Sequence, residues 1–222
     1  MKSILLFLSF LFFFQTSYAG VKQVVCIGDS ITEGYGIPVN KRKKFSFPAV
    51  LNKRLGDEYK VINLGHASRT LLSNNSFAWF KSYRYKQLMS VVPDIAIIML
   101  GTNDSKLKFW KGNSKQFQAD FEKLISVLKG LNSKVAIYVC LPLAAYDRSG
   151  KLSQSNEISG IRIRDEVIPT IKQVLNNHKE IRVIDTFTKT LNHSEFFSDG
   201  VHPNVSGAKY VADIIFESLS TN

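Results

Sequence analysis

Five short apolar stretches recur along the chain, and each is followed by a segment whose apolar residues have helical spacing. The stretches cover residues 23–27, 60–64, 95–100, 134–141 and 181–184. The third stretch is apolar at every position without alternation, a pattern typical of a strand covered on both faces. Strands that alternate with helices in this way predict an α/β fold with a parallel sheet, right-handed crossovers and helices on both faces.

The connecting segments divide into predicted helices and predicted loops. Helical spacing predicts helices over residues 47–55, 79–91, 114–128, 157–175 and 204–219. Residues 34–45, 106–112 and 185–201 are rich in turn-forming residues and are predicted to be loops. Pro169 lies inside the fourth helix and is expected to kink it, because proline cannot donate the helical hydrogen bond.

The N-terminal segment differs in composition from the rest of the chain. Lys2 precedes an apolar run over residues 4–14, and small residues follow at 17–19. This pattern is typical of a secretory signal peptide, and the run is shorter than the ~20 residues that a membrane-spanning helix needs. We therefore expect residues 1–19 to be a leader, with no stable membrane insertion after its removal. Export to the periplasm or the extracellular space follows from it.

Length and composition predict one domain for the remainder. The chain has 222 residues, of which 45% are hydrophobic and 21% charged. A chain of this size can bury a sizeable core, so residues 20–222 are expected to form a single domain. Cys26 and Cys140 both lie in apolar stretches, where a free cysteine behaves as a small core residue. No cysteine and histidine cluster has the spacing of metal ligands, and we expect neither a disulfide nor a metal site.

The chain is strongly basic. Its formal net charge is +11, and residues 41–44 form the densest basic run, Lys-Arg-Lys-Lys. Such a run can bind nucleic acid or another anionic polymer. No nucleic-acid-binding motif accompanies it, so a solvated loop is the favoured interpretation and no nucleic-acid partner is expected. Weak attraction to an anionic polysaccharide or to a membrane surface stays open.

Three of the apolar stretches lead into a glycine followed by polar residues. Gly28, Gly65 and Gly101 occupy these positions. The carboxyl ends of parallel strands share one edge of the sheet, which is where ligands bind in such folds. Ser30 follows the first glycine by two residues and is a candidate nucleophile. Taken alone, Ser30 is better explained as a helix N-cap, a position where serine is common.

A histidine and an aspartate near the C-terminus can complete the chemistry. His202 precedes Pro203, which keeps the chain extended, and Asp199 lies three residues earlier. Serine hydrolysis of an ester needs a hydroxyl, a base within reach and a carboxylate that orients the base. The segment therefore predicts His202 as the base and Asp199 as its partner. Taken alone, the segment would be better explained as a solvated pair before a helix, because such pairs are common in turns.

The developing oxyanion needs hydrogen-bond donors as well. Ser30 can donate its own backbone N–H, Gly65 can donate another, and Asn103 can donate a side-chain N–H. Taken singly, Gly65 is also typical of a helix stop, and Asn103 is also typical of a turn.

The four blocks that carry these residues resemble those of the SGNH (GDSL-type) hydrolases. They are residues 28–32 (Gly-Asp-Ser-Ile-Thr), Gly65, residues 101–104 (Gly-Thr-Asn-Asp) and residues 199–203 (Asp-Gly-Val-His-Pro). The resemblance covers essentially the whole chain after the leader. It implies a flavodoxin-like three-layer α/β/α fold with a five-stranded parallel sheet of order 2-1-3-4-5. It also implies a Ser30–His202–Asp199 triad and an oxyanion hole formed by Ser30, Gly65 and Asn103. No metal or organic cofactor is implied.

Export and two stretches around the predicted site resemble the carbohydrate O-acetylesterase branch of that family. The stretches are residues 63–67 and 101–106. The resemblance implies a carboxylic ester hydrolase whose substrate is a glycan or small-molecule ester. Tyr35, His66, Trp79 and Trp110 are candidate substrate contacts, since sugars stack on aromatic rings, although aromatic residues are equally common in packing.

Two alternatives remain open at this point. A lysophospholipase or thioesterase of the same family would need an apolar acyl channel, which Ile37, Phe45 and Phe47 could line. A binding protein with an inactive site is the other alternative, and the presence of Ser30, Asp199 and His202 argues against it. The oligomeric state and the identity of the sugar do not follow from the sequence.

Overall fold

The computed structural model describes residues 20–220, so the predicted leader lies outside the described residues. Five strands form one sheet in the order β2-β1-β3-β4-β5, and every neighbouring pair is parallel. The strands are β1 (Lys22–Gly28), β2 (Tyr59–Gly65), β3 (Ile95–Met99), β4 (Ala136–Cys140) and β5 (Arg182–Ile184). The predicted strand order and direction are confirmed.

Helices lie on both faces of this sheet. They are α1 (Ser30–Glu33), α2 (Val39–Phe45), α3 (Phe47–Leu55), α4 (Tyr83–Leu88), α5 (Leu107–Trp110), α6 (Ser114–Leu131), α7 (Gly160–Arg162), α8 (Ile168–Leu175), α9 (Thr186–Thr190) and α10 (Val205–Ser220). Short 3₁₀ turns cover Trp79–Lys81, Asn103–Ser105 and Ser194–Phe196. Helix α3 packs against α10, and α6 packs against α8. Crossovers between parallel strands are right-handed in nearly all proteins, which places these two pairs on opposite faces of the sheet. The observed strand order with helices around the sheet confirms the predicted α/β/α fold.

All three segments predicted to be loops contain helices. Helix α2 holds the basic run, α5 lies within residues 106–112, and α9 lies within residues 185–201. Lysine and arginine have good helix propensity, and Arg42, Lys43 and Lys44 fall in the last turn of α2, where cations complement the helix dipole. The basic run is therefore helical, and the loop prediction was wrong for it.

The predicted helix over residues 79–91 is instead divided in two. A 3₁₀ turn over Trp79–Lys81 comes first, and α4 begins after Ser82. The hydroxyl of Ser82 accepts a hydrogen bond from the N–H of Tyr85, so Ser82 is the N-cap of a new helix. Because Ser82 caps a new helix in the middle of the apolar pattern, α4 is shorter than the helix predicted over residues 79–91.

The long helix before β5 is irregular at the predicted place. A π-helical turn over Ile163–Val167 joins α7 to α8 and directly precedes Pro169 at the start of α8. Proline supplies no N–H to the preceding turn, and a wider turn accommodates its ring. The irregularity expected from Pro169 is therefore present as a π turn.

The core lies on the two faces of the central strands. In β1, Val24 to Ile27 have no exposed surface, and Ala96 to Met99 in β3 are buried to the same degree. The apolar faces of the surrounding helices pack on these strands. Within residues 20–220, no helix is both long and apolar enough to cross a membrane.

Helix α1 packs closely against the carboxyl ends of β1 and β2. Gly28 and Gly65 are register partners in these two strands. A Cβ atom on Gly28 would lie 2.0 Å from the Thr32 hydroxyl oxygen, and one on Gly65 would lie 2.2 Å from the Glu33 nitrogen. Real side chains do not approach so closely, so the position of α1 depends on these two glycines.

We expect Gly65→Ala to destabilise the fold by about 2–3 kcal/mol or more, because its methyl group would displace the backbone of α1. The matched control is Gly130→Ala in α6, where nothing lies within 4 Å of the added atom. That control should be neutral or stabilising by about 0.5–1 kcal/mol. Urea denaturation measures both variants, and equal stability of the two would contradict the close contact.

Candidate active site

The three predicted catalytic residues lie together at the carboxyl edge of the sheet. Ser30 is the first residue of α1, and Asp199 and His202 belong to the loop before α10. The Oγ of Ser30 is 2.9 Å from Nε2 of His202, and Nδ1 of His202 is 2.6 Å from Oδ2 of Asp199. Hydroxyl, imidazole and carboxylate therefore form one continuous hydrogen-bonded chain, although Ser30 and His202 are 172 positions apart.

The loop that carries the imidazole is ordered by its own aspartate. Oδ1 of Asp199 accepts hydrogen bonds from the backbone N–H groups of Val201 at 3.0 Å and His202 at 2.8 Å. Oδ2 is left to face the imidazole. The single aspartate thus fixes both the backbone turn and the orientation of the ring.

These donors also set the charge state of Asp199. Burial acts to raise the pKa of this carboxyl, but the N–H and imidazole of His202 and the N–H of Val201 outweigh burial and lower the pKa below its usual range. The Asp199 carboxylate consequently stays ionised at neutral pH. An ionised carboxylate at this position stabilises an imidazolium.

Ser30 keeps its hydroxyl free of the helix. Asp29, not Ser30, is the N-cap of α1, and its Oδ1 accepts a hydrogen bond from the N–H of Ile31 at 2.9 Å. Ser30 as a residue is 7% exposed, so it is buried, and its Oγ is bonded to the imidazole of His202. The alternative interpretation of Ser30 as a helix cap is therefore excluded by geometry.

Asn103 stands beside this serine loop. It lies in the 3₁₀ turn after β3, and its Nδ2 is 3.1 Å from the carbonyl oxygen of Arg69 and 3.4 Å from Oδ2 of Asp29. These contacts bring together the segments after β1, β2 and β3. The amide group is thus held where the three loops converge.

The structure contradicts the oxyanion role predicted for Gly65. Its N–H donates a hydrogen bond of 2.8 Å to Oδ1 of Asn63 and is not free to bind a substrate. The need for glycine at this position comes from the contact with α1, as described above. The sequence pattern correctly indicated that glycine is required at position 65, but the predicted reason, an oxyanion donor, was wrong.

Ser68 carries the free N–H that the sequence analysis missed. Arg69 N–H donates to His66 C=O at 3.4 Å, which closes a turn with Ser68 at its third position and a φ of 63°. Within residues 20–220, the Ser68 N–H has no hydrogen-bond partner. Turns of this kind favour glycine at that position. A serine there gives no signal in the sequence.

The neighbours of Ser68 are both anchored at the active edge. The N–H of Ala67 donates to Oε2 of Glu33 at 2.6 Å, and the carbonyl of Arg69 accepts from Asn103. The free N–H of Ser68 is therefore held between α1 and the Asn103 turn.

Two of the predicted substrate contacts lie at this edge. Tyr35 is 47% exposed, and its ring centroid is 4.9 Å from that of His202. His66 follows β2, and its Nε2 is 3.2 Å from a guanidinium nitrogen of Arg69. Burial and then the charge of Arg69 lower the pKa of His66. Both residues keep their predicted status as candidate contacts.

The other two predicted substrate contacts, Trp79 and Trp110, are buried. Trp79 is fully buried, and its Nε1 donates to the carbonyl of Leu64 at 3.1 Å. Trp110 is 4% exposed, and its Nε1 donates to Oε2 of Glu166 at 2.6 Å. A ring without an exposed face cannot stack on a sugar, so the structure contradicts substrate contact by either tryptophan.

Buried carboxylates brace the loops of the site. Asp104 accepts hydrogen bonds from the N–H groups of Leu71 and Leu72 at 3.0 and 2.9 Å. Burial raises the pKa of Asp104 to about 6 and that of Asp29 to about 7. In the described part of the chain, no three side chains of His, Cys, Asp or Glu are grouped as metal ligands.

The high pKa of Asp29 should make stability depend on pH. Between about pH 4 and 7 the folded chain keeps a proton on Asp29 that the unfolded chain has released, so rising pH favours unfolding. The variant Asp29→Asn lacks this effect. We expect the unfolding free energy of the wild type, measured relative to the variant, to fall as the pH rises from 4 to 7. Urea titrations at several pH values measure it, and a constant difference would contradict the prediction.

Comparison with known proteins matches the chain to an established family. Residues 26–210 match the GDSL-like lipase/acylhydrolase family. An acetylxylan esterase of Xylanibacter ruminicola is 35% identical over 215 residues, which cover 89% of this chain and 43% of that enzyme. An arylesterase of Vibrio mimicus is 26% identical over 220 residues, which cover 96% of each chain. The chain thus spans less than half of the first relative and nearly all of the second.

A solved structure supports the fold. The carbohydrate acetylesterase family member from Sinorhizobium meliloti superposes with a TM-score of 0.68 at 19% identity and covers 90% of this chain and 98% of that one. The matched family region includes Ser30, Asp199 and His202. At the level of the family, the prediction of a carboxylic ester hydrolase is confirmed: the chain belongs to the GDSL-like lipase/acylhydrolase family.

Proposed function

We propose that this protein is a serine esterase that removes O-acetyl groups from carbohydrate through an acyl-enzyme on Ser30. The observation that carries the proposal is the hydrogen-bonded chain from Asp199 through His202 to Ser30. A nucleophile, a base and an orienting carboxylate in that geometry are the components of serine acyl transfer.

The first half of the reaction forms the acyl-enzyme. Nε2 of His202 accepts the proton of the Ser30 hydroxyl while Oγ attacks the ester carbonyl carbon. The ionised Asp199 stabilises the imidazolium that forms. When the tetrahedral intermediate collapses, His202 returns the proton to the leaving alcohol.

The second half restores the enzyme. A water molecule attacks the acyl carbon, His202 accepts its proton, and Ser30 leaves with that proton as acetate is released. The charge that develops on the carbonyl oxygen in both halves is stabilised by the N–H groups of Ser30 and Ser68. The side-chain amide of Asn103 is the third donor, and to act it exchanges its longer hydrogen bond, 3.4 Å to Asp29, for one to the oxyanion while it keeps the bond to the carbonyl of Arg69. Loss of one such donor typically lowers kcat by about 10²–10³.

An acetylated glycan is the substrate class that the observations favour. The relative with the higher sequence identity is an acetylxylan esterase. The exposed ring of Tyr35 beside His202 offers a face on which a sugar can stack. We propose export through the leader predicted at residues 1–19, which would bring the enzyme to polymeric glycans.

A long acyl channel is less well supported. Ile37 and Phe47 are each 2% exposed and belong to the core, so they do not line an open channel. The arylesterase relative favours a second candidate activity, hydrolysis of small aryl esters. Both activities would use the same Ser30 chemistry, and their relative rates on acetylated xylan and on aryl acetates would rank them.

We expect Ser30→Ala to lower acetate release from acetylated xylan by at least about 10³-fold, because the nucleophile is removed. The matched control is Ser133→Ala, an exposed serine between α6 and β4, which should leave the rate unchanged. An organophosphate should label the wild type at Ser30 and leave the variant unlabelled. Full activity of Ser30→Ala would overturn the proposed function.

Ser68 provides a test of the oxyanion donors. Ser68→Gly keeps the N–H and relieves the positive φ, so stability should rise by about 1 kcal/mol with activity retained. Proline cannot adopt the positive φ of Ser68, so the N–H is removed by placing an α-hydroxy acid at residue 68 of the Ser68→Gly chain, which exchanges the amide for an ester. Loss of the N–H should lower kcat by about 10²-fold or more relative to Ser68→Gly. Circular dichroism checks that both proteins fold, and full activity of the ester-containing protein would exclude this donor.

A further inference from the structure

A basic groove lies beside the active edge. It has a volume of about 650 Å³ and runs between helices α2 and α3 and the edge strand β2. Four of its lining side chains are cationic: Arg42, Lys43, Lys60 and Arg84. Glu33 is the single acidic residue in the lining. The groove therefore concentrates positive charge in a concave surface, which strengthens the local field.

Most of this charge has no carboxylate partner. In the described chain, neither Lys43 nor Lys60 forms an ion pair, and Arg84 donates only to Gly65 C=O and to the side-chain oxygen of Gln87. Arg42 alone approaches a carboxylate, that of Glu33 at 3.8 Å.

A few lysines elsewhere in the described chain do have carboxylate partners. The Lys129 ammonium is 2.6 Å from a Glu180 carboxylate oxygen, and that of Lys209 is 2.7 Å from one on Asp213. The groove is thus a place where positive charges stand together without anions from the chain itself.

The two arginines are held in place by uncharged groups. Nε of Arg42 donates to the carbonyl of Ile37 at 3.0 Å, and its guanidinium carbon lies 4.7 Å from the ring centroid of Tyr35. Nε of Arg84 donates to the carbonyl of Gly65 at 3.1 Å. A guanidinium that is already oriented loses less conformational freedom when it binds a carboxylate.

The groove is connected to the elements that carry the catalytic residues. Glu33 lies in α1 three residues after Ser30 and binds the N–H of Ala67. The ring centroid of Tyr35 lies 4.7 Å from the guanidinium carbon of Arg42 and 4.9 Å from the ring centroid of His202. A polymer whose ester group occupies the active site could therefore extend its neighbouring units into the groove.

We propose that this groove binds the carboxylates of an acidic polysaccharide, so that the preferred substrate is an acetylated glycan that also carries uronic acid units. The proposal rests on the proposed esterase function and narrows its substrate class. Exposed Lys43 and Lys60 would supply long-range attraction, and the oriented arginines would pair with carboxylates at closer range. The strongly basic balance of the chain acts in the same direction.

A matched pair of substrates tests the proposal. One polymer carries uronic acids, and the other is the same polymer with its carboxyl groups reduced to alcohols; both are then acetylated to the same degree. For the wild type at low salt, we expect kcat/KM to be about tenfold higher on the acidic polymer, mainly through KM. The ratio should shrink toward one at 0.5 M salt, where charges are screened within a few ångströms.

Charge-reversal variants test whether the preference for the acidic polymer comes from the groove. Lys43→Glu combined with Lys60→Glu should bring the ratio close to one. The control is Lys115→Glu combined with Lys172→Glu, which changes the net charge equally on α6 and α8 in the other helical layer. The control should keep the wild-type ratio. Hydrolysis of p-nitrophenyl acetate should be the same in all three proteins.

Binding without catalysis separates the two proposals. In a Ser30→Ala background, affinity electrophoresis should show retardation by the acidic polymer that the groove variant loses and the control variant keeps. If the acidic polymer retards both charge variants equally and the wild type hydrolyses both polymers at equal rates, the proposed role of the groove is overturned. The esterase function is not affected by that result. Absence of Ser30-dependent hydrolysis with the retardation pattern preserved would instead overturn the esterase function. A third outcome is that the groove variant loses binding to phosphatidylglycerol vesicles while its rates on both polymers equal those of the wild type. That result would overturn the proposed glycan ligand and would assign the groove to a membrane surface.

Discussion

The site depends on the contact between helix α1 and the ends of β1 and β2. Gly65 leaves room for the backbone of α1 and Gly28 leaves room for the side chain of Thr32, and neither gap could hold a Cβ atom. This contact places Ser30 at the sheet edge and brings Glu33 over the segment that follows β2. Any side chain at either glycine would move the nucleophile away from the residues that act with it.

Buried carboxylates extend this arrangement to the other loops. Asp29 caps α1, Asp104 binds two successive N–H groups of the segment after β2, and Asp120 binds the N–H of Ser73 next to them. Burial raises the pKa of Asp29 and Asp104, so these groups cost free energy as they ionise. The fold thus keeps polar groups in its interior where the loops of the site must be held still.

Charge is arranged differently in the site and in the groove beside it. In the catalytic chain, the Asp199 carboxylate is fully engaged by N–H groups and the imidazole. In the groove, Lys43 and Lys60 stand without partners from the described chain. A satisfied network suits a group that must keep one geometry through a reaction, whereas unpaired cations suit a ligand that arrives from outside.

The sequence by itself determined the fold class and the three residues of the hydrogen-bonded chain. Apolar stretches without alternation specify buried parallel strands, and short blocks at their ends specify which polar groups meet at one edge. The tertiary structure decided what depends on backbone conformation and on partners distant in the chain. It engaged the N–H of Gly65 with Asn63, left that of Ser68 free at a positive φ, and buried Trp79 and Trp110. It also made the basic run a helix that faces an edge strand. Residue type carries no information on which N–H remains unpaired or which ring keeps an exposed face, since both follow from how the segments pack.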